Sequence, residues 1–419
     1  MANIPTENAF SAVYGLYKEG FVFIKNRCEK HQSDIFKINL LALKVICFTG
    51  EDAAQAFYDP EKFMRKGAVP SPVQKTLTGV NAIHTKDGEV HHKRKEMFLS
   101  LMTDESIGRL SNLVRAELNK ALNKWQSKSS IVLFRESSEV LSRAICEWAG
   151  VPLKDEEARQ RARDFTAMVD AFGNIGRRNL RGRFARQRTE KWIKGVIQDV
   201  RNQKLVVNEA SALYIAANYR DTNGNLFNLR MAAIELINVL RPTVAISWYI
   251  TFGATALNNY PQCTQKFLLN QDNYREWFIH ELRRFYPFAP FMGAIVKNDF
   301  VWKGYHFPKK ALVLLDMYGT NHDARLWEKP NEFIPERFKD RKIKPFDFLA
   351  QGGGDPQNGH RCPGEWITIE VLKTVLGFLI DQIDFTVPQQ DLSFDLSRMP
   401  TLPKSGFIMT EISKKADKR

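Results

Sequence analysis

The residues with the clearest chemical potential surround Cys362, which lies in a Gly-His-Arg-Cys-Pro-Gly-Glu-Trp segment. Pro363 suits the first position of a helix, so the cysteine directly precedes a predicted helix. A sulfur at a helix N-terminus lies near free N–H groups and the positive end of the helix dipole, which both stabilise a thiolate. His360 and Arg361 add positive charge nearby. The segment alone leaves three alternatives: a nucleophile, a metal ligand or an inert cysteine in a glycine turn.

Two further motifs are weak by themselves. Glu281 and Arg284 lie three residues apart on a helix predicted over 274–285, which places them on one face and lets them pair. Arg337 lies in a Pro-Glu-Arg-Phe sequence within residues 323–348, which are rich in Pro, Asn and Asp and are predicted to be irregular.

In order and spacing, the three motifs together resemble the signature set of the cytochrome P450 family, and the resemblance extends over essentially the whole chain. It implies a mostly α fold with a small β part, in which haem lies between a long central helix and the cysteine loop. It also implies haem b (heme b) as the cofactor and Cys362 as the proximal thiolate ligand of its iron. Glu281, Arg284 and Arg337 would hold the core beneath the haem.

The two propionates of a haem need cations. His91 and Lys95 lie four residues apart, and therefore on one face of a predicted helix. The resemblance implies that both, together with His360, bind propionates, and it makes Arg65 a further candidate. The alternative for His91 is an exposed histidine on a basic helix.

The central helix departs from ordinary members of the family, since Arg241 and Pro242 occupy the region of an acid–alcohol pair that relays protons. Proline inside a helix removes a hydrogen bond and is expected to kink it. A buried arginine needs an anionic partner, and Glu235, six residues earlier, is expected on a different face. A fatty-acid carboxylate could pair with Arg241 in bidentate fashion and serve as acid and base for hydrogen peroxide. The alternative is an arginine paired elsewhere in the core.

The Arg-Pro pair, its flanking residues and the glycine-rich cysteine loop resemble the bacterial fatty-acid peroxygenase branch. That branch hydroxylates long-chain fatty acids at Cα or Cβ, or decarboxylates them to terminal alkenes, with hydrogen peroxide and without a redox partner. His84 matches the histidine of alkene-forming members, whereas Thr78 replaces a phenylalanine, so mixed products are expected. The resemblance implies a substrate tunnel that is lined by Val69, Val169, Phe172, Phe288 and Phe291.

The elements that must position these residues follow from hydrophobic periodicity. Further helices are predicted over 105–125, 134–149, 155–172, 231–257 and 363–380, and strands are predicted within 35–41, 44–48 and 296–307. We expect one cytochrome P450-type domain over residues 1–419, with a β-rich subregion at about 30–60 and 292–310 and further strands at the C-terminal end.

Composition limits the function classes. Of the 419 residues, 44% are hydrophobic, which excludes disordered and collagen-like chains. The five cysteines are scattered without CxxC spacing, which argues against a disulfide framework and a structural zinc site and favours a reducing compartment. Residues 234–257 are apolar but contain Glu235, Arg241 and Pro242, so they predict a buried helix. With no signal-peptide pattern at the start, we expect a cytoplasmic enzyme without a membrane anchor.

The net charge is +14, and the densest basic run spans residues 177–194. We interpret this run as a solvated basic segment, and no nucleic-acid partner is expected because no recognition motif accompanies it. Two alternatives to the peroxygenase stay open at this point. One is a conventional monooxygenase of fatty acids that receives electrons from a ferredoxin or flavodoxin. The other is a haem-binding sensor or carrier that contacts nucleic acid through the basic run.

Overall fold

The computed structural model describes residues 2–40, 43–174 and 176–416, and most of them are helical. The helices are α1 (Ala9–Glu19), α2 (Phe23–His31), α3 (Glu51–Phe57), α4 (Ser71–Val73), α5 (Gly88–Leu99), α6 (Asp104–Trp125), α7 (Leu133–Ala149), α8 (Asp155–Asp170), α9 (Arg177–Arg201), α10 (Ala212–Asn218), α11 (Leu229–Asn259), α12 (Pro261–Leu269), α13 (Tyr274–Phe285), α14 (Met317–Asn321) and α15 (Glu365–Asp381).

The strands of the described residues form a small β part beside the helices. They are β1 (Thr6–Glu7), β2 (Ile35–Leu40), β3 (Leu43–Phe48), β4 (Phe63–Met64), β5 (Ser130–Val132), β6 (Phe291–Val296), β7 (Phe300–Trp302), β8 (Tyr305–Phe307), β9 (Leu312–Asp316), β10 (Ile383–Thr386) and β11 (Ile408–Lys414). The largest sheet has the order β1-β2-β3-β9-β6-β4. Since β3 pairs with β9 in parallel, this sheet joins the N-terminal strands to those that follow α13.

The core surrounds α11, which packs against α7, α8, α9 and α15. Asn228 caps the helix, because its side chain accepts a hydrogen bond from the Met231 N–H. Apart from Pro242, every residue of α11 from Ala232 to Leu257 is buried, which confirms the prediction of a buried helix over 234–257. α11 continues as one helix through Pro242, and the Thr243 hydroxyl donates to the Val239 carbonyl (3.1 Å).

The periodicity-based predictions for α6, α7, α11, α13 and α15 agree with the structure to within two residues at each end. The mostly α architecture with a small β part is confirmed. Residues 323–348 are irregular apart from a short 3-10 turn at Pro335–Phe338. The division into one domain over residues 1–419 stays a prediction.

The basic run departs from the expectation of a solvated segment at one residue, Arg186. It forms the first part of α9, and Arg186 is only 2% exposed. The helix packs on α8 and α11 through one face, and its periodicity places Arg186 on that face with Gly182 and Ala185. Arg186 pairs there with Glu190 (2.7 Å) and donates to the Leu77 carbonyl (3.0 Å).

Candidate active site

The Cys362 loop ends directly before α15, which begins at Glu365. The Cys362 N–H donates to the Gln351 carbonyl (3.1 Å), and this bond ties the cysteine to the glycine-rich stretch. The Gln351 side chain lies 3.8 Å from Sγ and donates to the Thr368 hydroxyl (3.0 Å). The loop is therefore anchored on both sides of the sulfur.

Burial raises the pKa of the Cys362 thiol, although the Gly364 N–H and the charges of Lys95 and Arg283 act in the opposite direction. Burial therefore acts against the helix end, which favours the thiolate. A thiol that burial keeps protonated is a poor free nucleophile, whereas a metal ion deprotonates a coordinating thiol outright. Of the alternatives for this cysteine, the environment favours the metal ligand.

Glu281, Arg284 and Arg337 come together as predicted. Glu281 and Arg284 form a bidentate pair (2.7 and 2.8 Å), and both side chains are fully buried. Arg337 Nε lies 3.1 Å from the same carboxylate, which also accepts the Ile334 N–H (2.9 Å). The remaining donors of Arg284 reach carbonyls of the irregular segment, including that of Pro330 (2.9 Å). This triad fastens α13 to residues 330–337.

A second ion pair network, which sequence reasoning missed, joins α13 to the cysteine loop. Arg283 is fully buried and contacts the Glu365 carboxylate, and Arg361 donates to the same group (2.7 Å). Despite desolvation by burial, the two guanidinium groups lower the pKa of Glu365 to about 2. The sequence does contain a signal for this network. Arg283 directly precedes Arg284, and both of these consecutive arginines are buried in α13.

Four basic residues gather beside the cysteine loop. The rings of His91 and His360 lie 4.0 Å apart between centroids. The Lys95 ammonium donates to the carbonyls of Gly359 and Arg361, the latter at 3.0 Å.

The fourth member is Arg65, whose guanidinium lies over the Phe57 ring at 4.1 Å. Its Nε and Nη1 atoms are buried without a hydrogen-bond partner among the described residues. His91, Lys95 and Arg65 are all buried.

The cluster holds more positive than negative charge. Burial lowers the pKa of Lys95 to about 8, that of Arg65 to about 10 and that of His91 to about 3. The carboxylate in the cluster is Asp87, which lies 3.6 Å from His360 and accepts the Arg65 N–H (2.7 Å). Arg65 and Lys95 can pair with carboxylates, and Cys362 can bind a metal. Together they fit a group that carries two carboxylates and a metal. The residues present therefore fit haem.

Arg241 lies on α11 and is 6% exposed. Its Nη2 donates to the side-chain carbonyl of Asn238 (3.3 Å), and its Nε is buried without a partner among the described residues. Burial and the nearby charge of Arg186 lower the pKa of Arg241 to about 9, while the charge of Cys362 acts in the opposite direction. Arg241 is thus a buried cation beside a neutral amide, with unused donors.

Asn238 links Arg241 to Glu235, which sequence reasoning placed on a different face. The Asn238 amide donates to Glu235 (3.2 Å) and to the Thr78 carbonyl (2.9 Å). Glu235 in turn accepts from Arg94 (2.9 Å) and from the Ile83 N–H (2.9 Å). No direct contact joins Glu235 and Arg241 among the described residues. The network fastens the segment that carries Thr78 and His84 to the helix that carries Arg241.

His84 lies on a 3-10 turn, Ile83–Thr85. Its side chain is accessible, yet enclosure by protein lowers its pKa to about 3, together with the charges of Arg241, His360 and Arg186. The charges of Arg241 and His360 both reach His84, so its accessible side chain borders the space between α11 and these basic residues. We call this space the cavity.

The predicted tunnel residues fall into two groups. Val169 packs with Ala245 and Trp248, and Phe288 packs against the same cluster and stacks on Tyr249 at 4.6 Å. Phe172 and Phe291 form an aromatic pair at 6.4 Å. The remaining residue, Val69, is half-buried in the segment between Arg65 and α4.

Comparisons with known proteins agree with this geometry. The sequence profile described as Cytochrome P450 matches residues 260–410. The structure of cytochrome P450EX alpha (CYP152N1) with myristic acid superposes with a TM-score of 0.95 at 42% identity, covering 99% of this chain and 100% of that one. A variant of cytochrome P450 OleT in complex with arachidonic acid has a TM-score of 0.96 at 33% identity, with 100% of both chains covered.

The chain belongs to the cytochrome P450 family. Its predicted fold is confirmed, and the family implies a haem that Cys362 binds through its thiolate. Curated relatives match over shorter stretches. Cytochrome P450 4e5 of Drosophila mettleri is 35% identical over 107 residues, which are 26% of this chain and 20% of that protein. Among the residues that the structure describes, no helix combines the length and apolarity that crossing a bilayer requires.

Several site residues of this cytochrome P450 escaped sequence reasoning, and they share one property: each acts on another site residue. Asn238 holds Arg241, Asp87 faces His360, and Gln351 anchors Cys362. A signal for Asn238 did exist, because Glu235, Asn238 and Arg241 recur every three residues in an otherwise apolar helix. Asp87 and Gln351 lie in loops, where no periodicity indicates a partner.

Proposed function

We propose that this cytochrome P450 is a haem-thiolate peroxygenase. It uses hydrogen peroxide to oxidise long-chain fatty acids at Cα or Cβ, and it forms hydroxy fatty acids together with terminal alkenes by decarboxylation. The observation that carries the proposal is the state of Arg241, a buried guanidinium that faces a neutral amide and, within the described part of the chain, retains a buried donor without a partner. Such a group favours an anionic ligand.

The solved relatives support a carboxylic acid as that ligand. Cytochrome P450EX alpha holds myristic acid and the OleT variant holds arachidonic acid. Both are long-chain acids with a single anionic head group. A bidentate pair between such a head group and Arg241 would satisfy the free donors and neutralise the buried charge.

The position of the bound carboxylate then determines which carbons of the fatty acid react. With the carboxylate held at Arg241, Cα and Cβ are the carbons nearest to the Cys362 side of the cavity, and the apolar chain extends along Val69, Val169, Phe172, Phe288 and Phe291. When bound, the haem would supply the cleavage of the O–O bond, because its thiolate ligand donates electron density to the iron. Pro242 has no N–H, so it leaves the Asn238 backbone carbonyl without its helical donor beside the head group.

The bound carboxylate also supplies the acid and base. It takes a proton from one oxygen of hydrogen peroxide and returns it to the other, a role that the missing acid–alcohol pair would otherwise perform. Hydroxylation consumes one peroxide and releases one water, whereas decarboxylation consumes one peroxide and releases carbon dioxide and two waters. His84 is neutral, so its ring has one N–H group. This group can donate a hydrogen bond that positions the substrate.

Since peroxide carries both oxygen and the oxidising equivalents, no redox partner is required in this proposal. The reaction is placed in the cytoplasm, in line with the scattered, free cysteines.

The test is product analysis after the purified holoenzyme, a long-chain fatty acid and hydrogen peroxide are mixed without reductase. We expect hydroxy acids and some alkene from the wild type and at least about a hundredfold less product from Arg241→Ala, because one charge-assisted bidentate pair is lost. The methyl ester of the same acid should be a poor substrate, since it lacks the charge that Arg241 binds.

Two controls separate the outcomes. An Arg115→Ala variant removes an exposed arginine of α6 and should keep full activity. The shift of haem spin state on fatty-acid binding should vanish in Arg241→Ala and persist in Arg115→Ala. An inactive wild type that regains activity with a ferredoxin system would contradict the proposal and would establish the conventional monooxygenase instead.

A further inference from the structure

Arg186 is a buried arginine of α9 to which the reaction proposed above gives no role. Its Nε donates to Glu190 (2.7 Å), one turn later on the same helix. Its Nη1 donates to the Leu77 carbonyl (3.0 Å), and its Nη2 is buried without a hydrogen-bond partner among the described residues. An ion pair within one helix needs no buried arginine, so the contact with Leu77 requires a separate explanation.

The carbonyl that this guanidinium holds belongs to a segment at the cavity, residues 77–84. The Leu77 side chain packs against the apolar cluster that contains Val169, one of the predicted tunnel residues. Thr78 and His84 lie further along the same segment. The position of this backbone therefore determines both the shape of the tunnel wall and the place of His84.

Side chains of α9 and α11 bind consecutive carbonyls of the segment. Arg186 holds that of Leu77, and Asn238 donates to that of Thr78 (2.9 Å). The Asn238 side chain also accepts from Arg241, the predicted anchor of the substrate carboxylate. The segment is thus fixed between α9 and the residue that orients the head-group site, and Arg186 supplies the contact on the α9 side.

Gly79 shows how closely the guanidinium approaches the segment. Its φ is +85°, a conformation that residues with a Cβ rarely adopt. A Cβ at this position would overlap Arg186 Nη2 and would lie 2.6 Å from the Ile234 side chain of α11. The backbone therefore lies directly between Arg186 and α11, without space to move towards either.

We propose that Arg186 is a positioning residue for the oxidation of the fatty acid. It holds residues 77–79 against α11, and the tunnel wall that results determines which carbon lies nearest to the Cys362 side of the cavity. Arg186 acts through the Leu77 carbonyl, since Glu190 occupies its Nε. The effect on products rests on the proposed function, whereas the restraint on the backbone does not. The alternative is an arginine that only stabilises the packing of α9.

The experiment compares the Arg186→Met holoenzyme with the wild type, because methionine keeps an unbranched stem and removes the donors. We expect the ratio of Cα to Cβ hydroxylation to change at least about threefold, since small displacements of the reacting carbon alter rates strongly. The dissociation constant of the fatty acid, read from the haem spectrum, should change less than about twofold because Arg241 is untouched. Hydrogen exchange at the backbone amides of residues 77–84 should accelerate at least about tenfold.

A second variant reaches the same contact from the opposite side. The Cβ of Gly79→Ala would displace the guanidinium, so this variant should also change the product ratio. If both substitutions act on one contact, the double variant Arg186→Met/Gly79→Ala should change the ratio no more than the stronger single variant does. Independent sites would instead multiply their effects. Arg186→Lys is the milder substitution, and it should partly restore the wild-type ratio because it keeps a cationic donor.

The matched controls are Arg177→Met, at an exposed arginine of the same helix, and Gly304→Ala, at a glycine with φ +81° and open space around its Cβ position. Both should keep the wild-type ratio and exchange rates.

A wild-type product ratio in Arg186→Met would overturn the proposal, even if the variant is less stable, and would assign Arg186 to packing alone. A changed ratio with wild-type exchange over residues 77–84 would overturn it as well. If the wild type requires a ferredoxin system in place of peroxide, the same ratios are measured with that system. A failure of the proposed function therefore remains distinguishable from a failure of this inference.

Discussion

Two buried arginines of the candidate site, Arg284 and Arg241, have very different surroundings. Arg284 has a bidentate carboxylate partner and several backbone carbonyls, and its donors are satisfied by the protein itself. Arg241 has one long hydrogen bond to a neutral amide and a buried Nε without a partner among the described residues. A buried cation that the protein neutralises stabilises the fold, whereas one that it leaves unneutralised is suited to a ligand.

The largest effect is expected when the neutralised arginine, Arg284, is removed. Arg284→Ala leaves the Glu281 carboxylate buried without its bidentate partner, so we expect a loss of about 3–5 kcal/mol in the free energy of unfolding and poor haem incorporation. Urea unfolding and the haem-to-protein absorbance ratio measure both quantities. The control is Arg241→Ala, which should retain the wild-type free energy of unfolding to within about 1 kcal/mol. Equal destabilisation by the two variants would remove the distinction between the arginines.

A smaller effect sharpens the role of the amide that holds Arg241. Asn238→Ala removes the hydrogen-bond acceptor that orients the guanidinium, so we expect fatty-acid affinity to fall about tenfold, which corresponds to about 1.4 kcal/mol. Binding of a neutral haem ligand such as imidazole should change little. Spectral titration of the haem measures both affinities.

The matched substitution on the same helix is Asn258→Ala, where the asparagine is exposed near the end of α11. It should leave both affinities unchanged. If Asn238→Ala weakens imidazole and fatty acid equally, the residue supports the cavity as a whole and does not position Arg241.

The smallest expected effect is the influence of the Arg284 charge on the pKa of its neighbour His322. Burial and then Arg284 lower the pKa of His322 to about 3, against about 6.5 in an unfolded chain. Between these values the unfolded chain binds the proton, so the folded chain loses stability as pH falls from about 6.5 towards 3. At pH 6 the free energy of unfolding of the wild type should be lowered by about 1 kcal/mol through this effect, and His322→Gln should abolish that decrease.

Urea unfolding at pH 7.5 and at pH 6 measures the difference. The control is Asn258→Ala, which removes no titratable group and should leave the pH dependence of the wild type unchanged. A His322→Gln variant with the wild-type pH dependence would show that Arg284 and burial do not keep His322 neutral.

Local pattern explains where sequence reasoning succeeded. The helices that carry Glu281, Arg284 and Arg241 follow from apolar periodicity, and Asn228 caps the helix of Arg241; both are properties of neighbouring residues. The family resemblance implied the triad of Glu281, Arg284 and Arg337, and the structure places these three side chains in direct contact. The assignments of Arg241, Pro242 and His84 to catalysis and of the five apolar residues to the tunnel stay predictions.

Burial explains where it failed. Arg186 belongs to a run that composition describes as solvated, but the packing of α9 on α8 and α11 turns this one arginine inward. The error arises because burial depends on which elements pack together, and short-range pattern does not contain that information. At Cys362, burial raises the pKa of the thiol against the effect of the helix end, and the family implies a haem iron that binds it as a thiolate.

The sequence by itself determined the family, the cysteine ligand and the helices that carry the charged residues, because motif spacing and periodicity are encoded in short segments. Only the tertiary structure decided which charges are neutralised. It gave Arg284 a carboxylate, gave Arg241 an amide, and gathered Arg65, His91, Lys95 and His360 around the cysteine loop. The reason is that the free energy of a buried charge is set by partners far away in the chain, and folding alone brings them within hydrogen-bond distance.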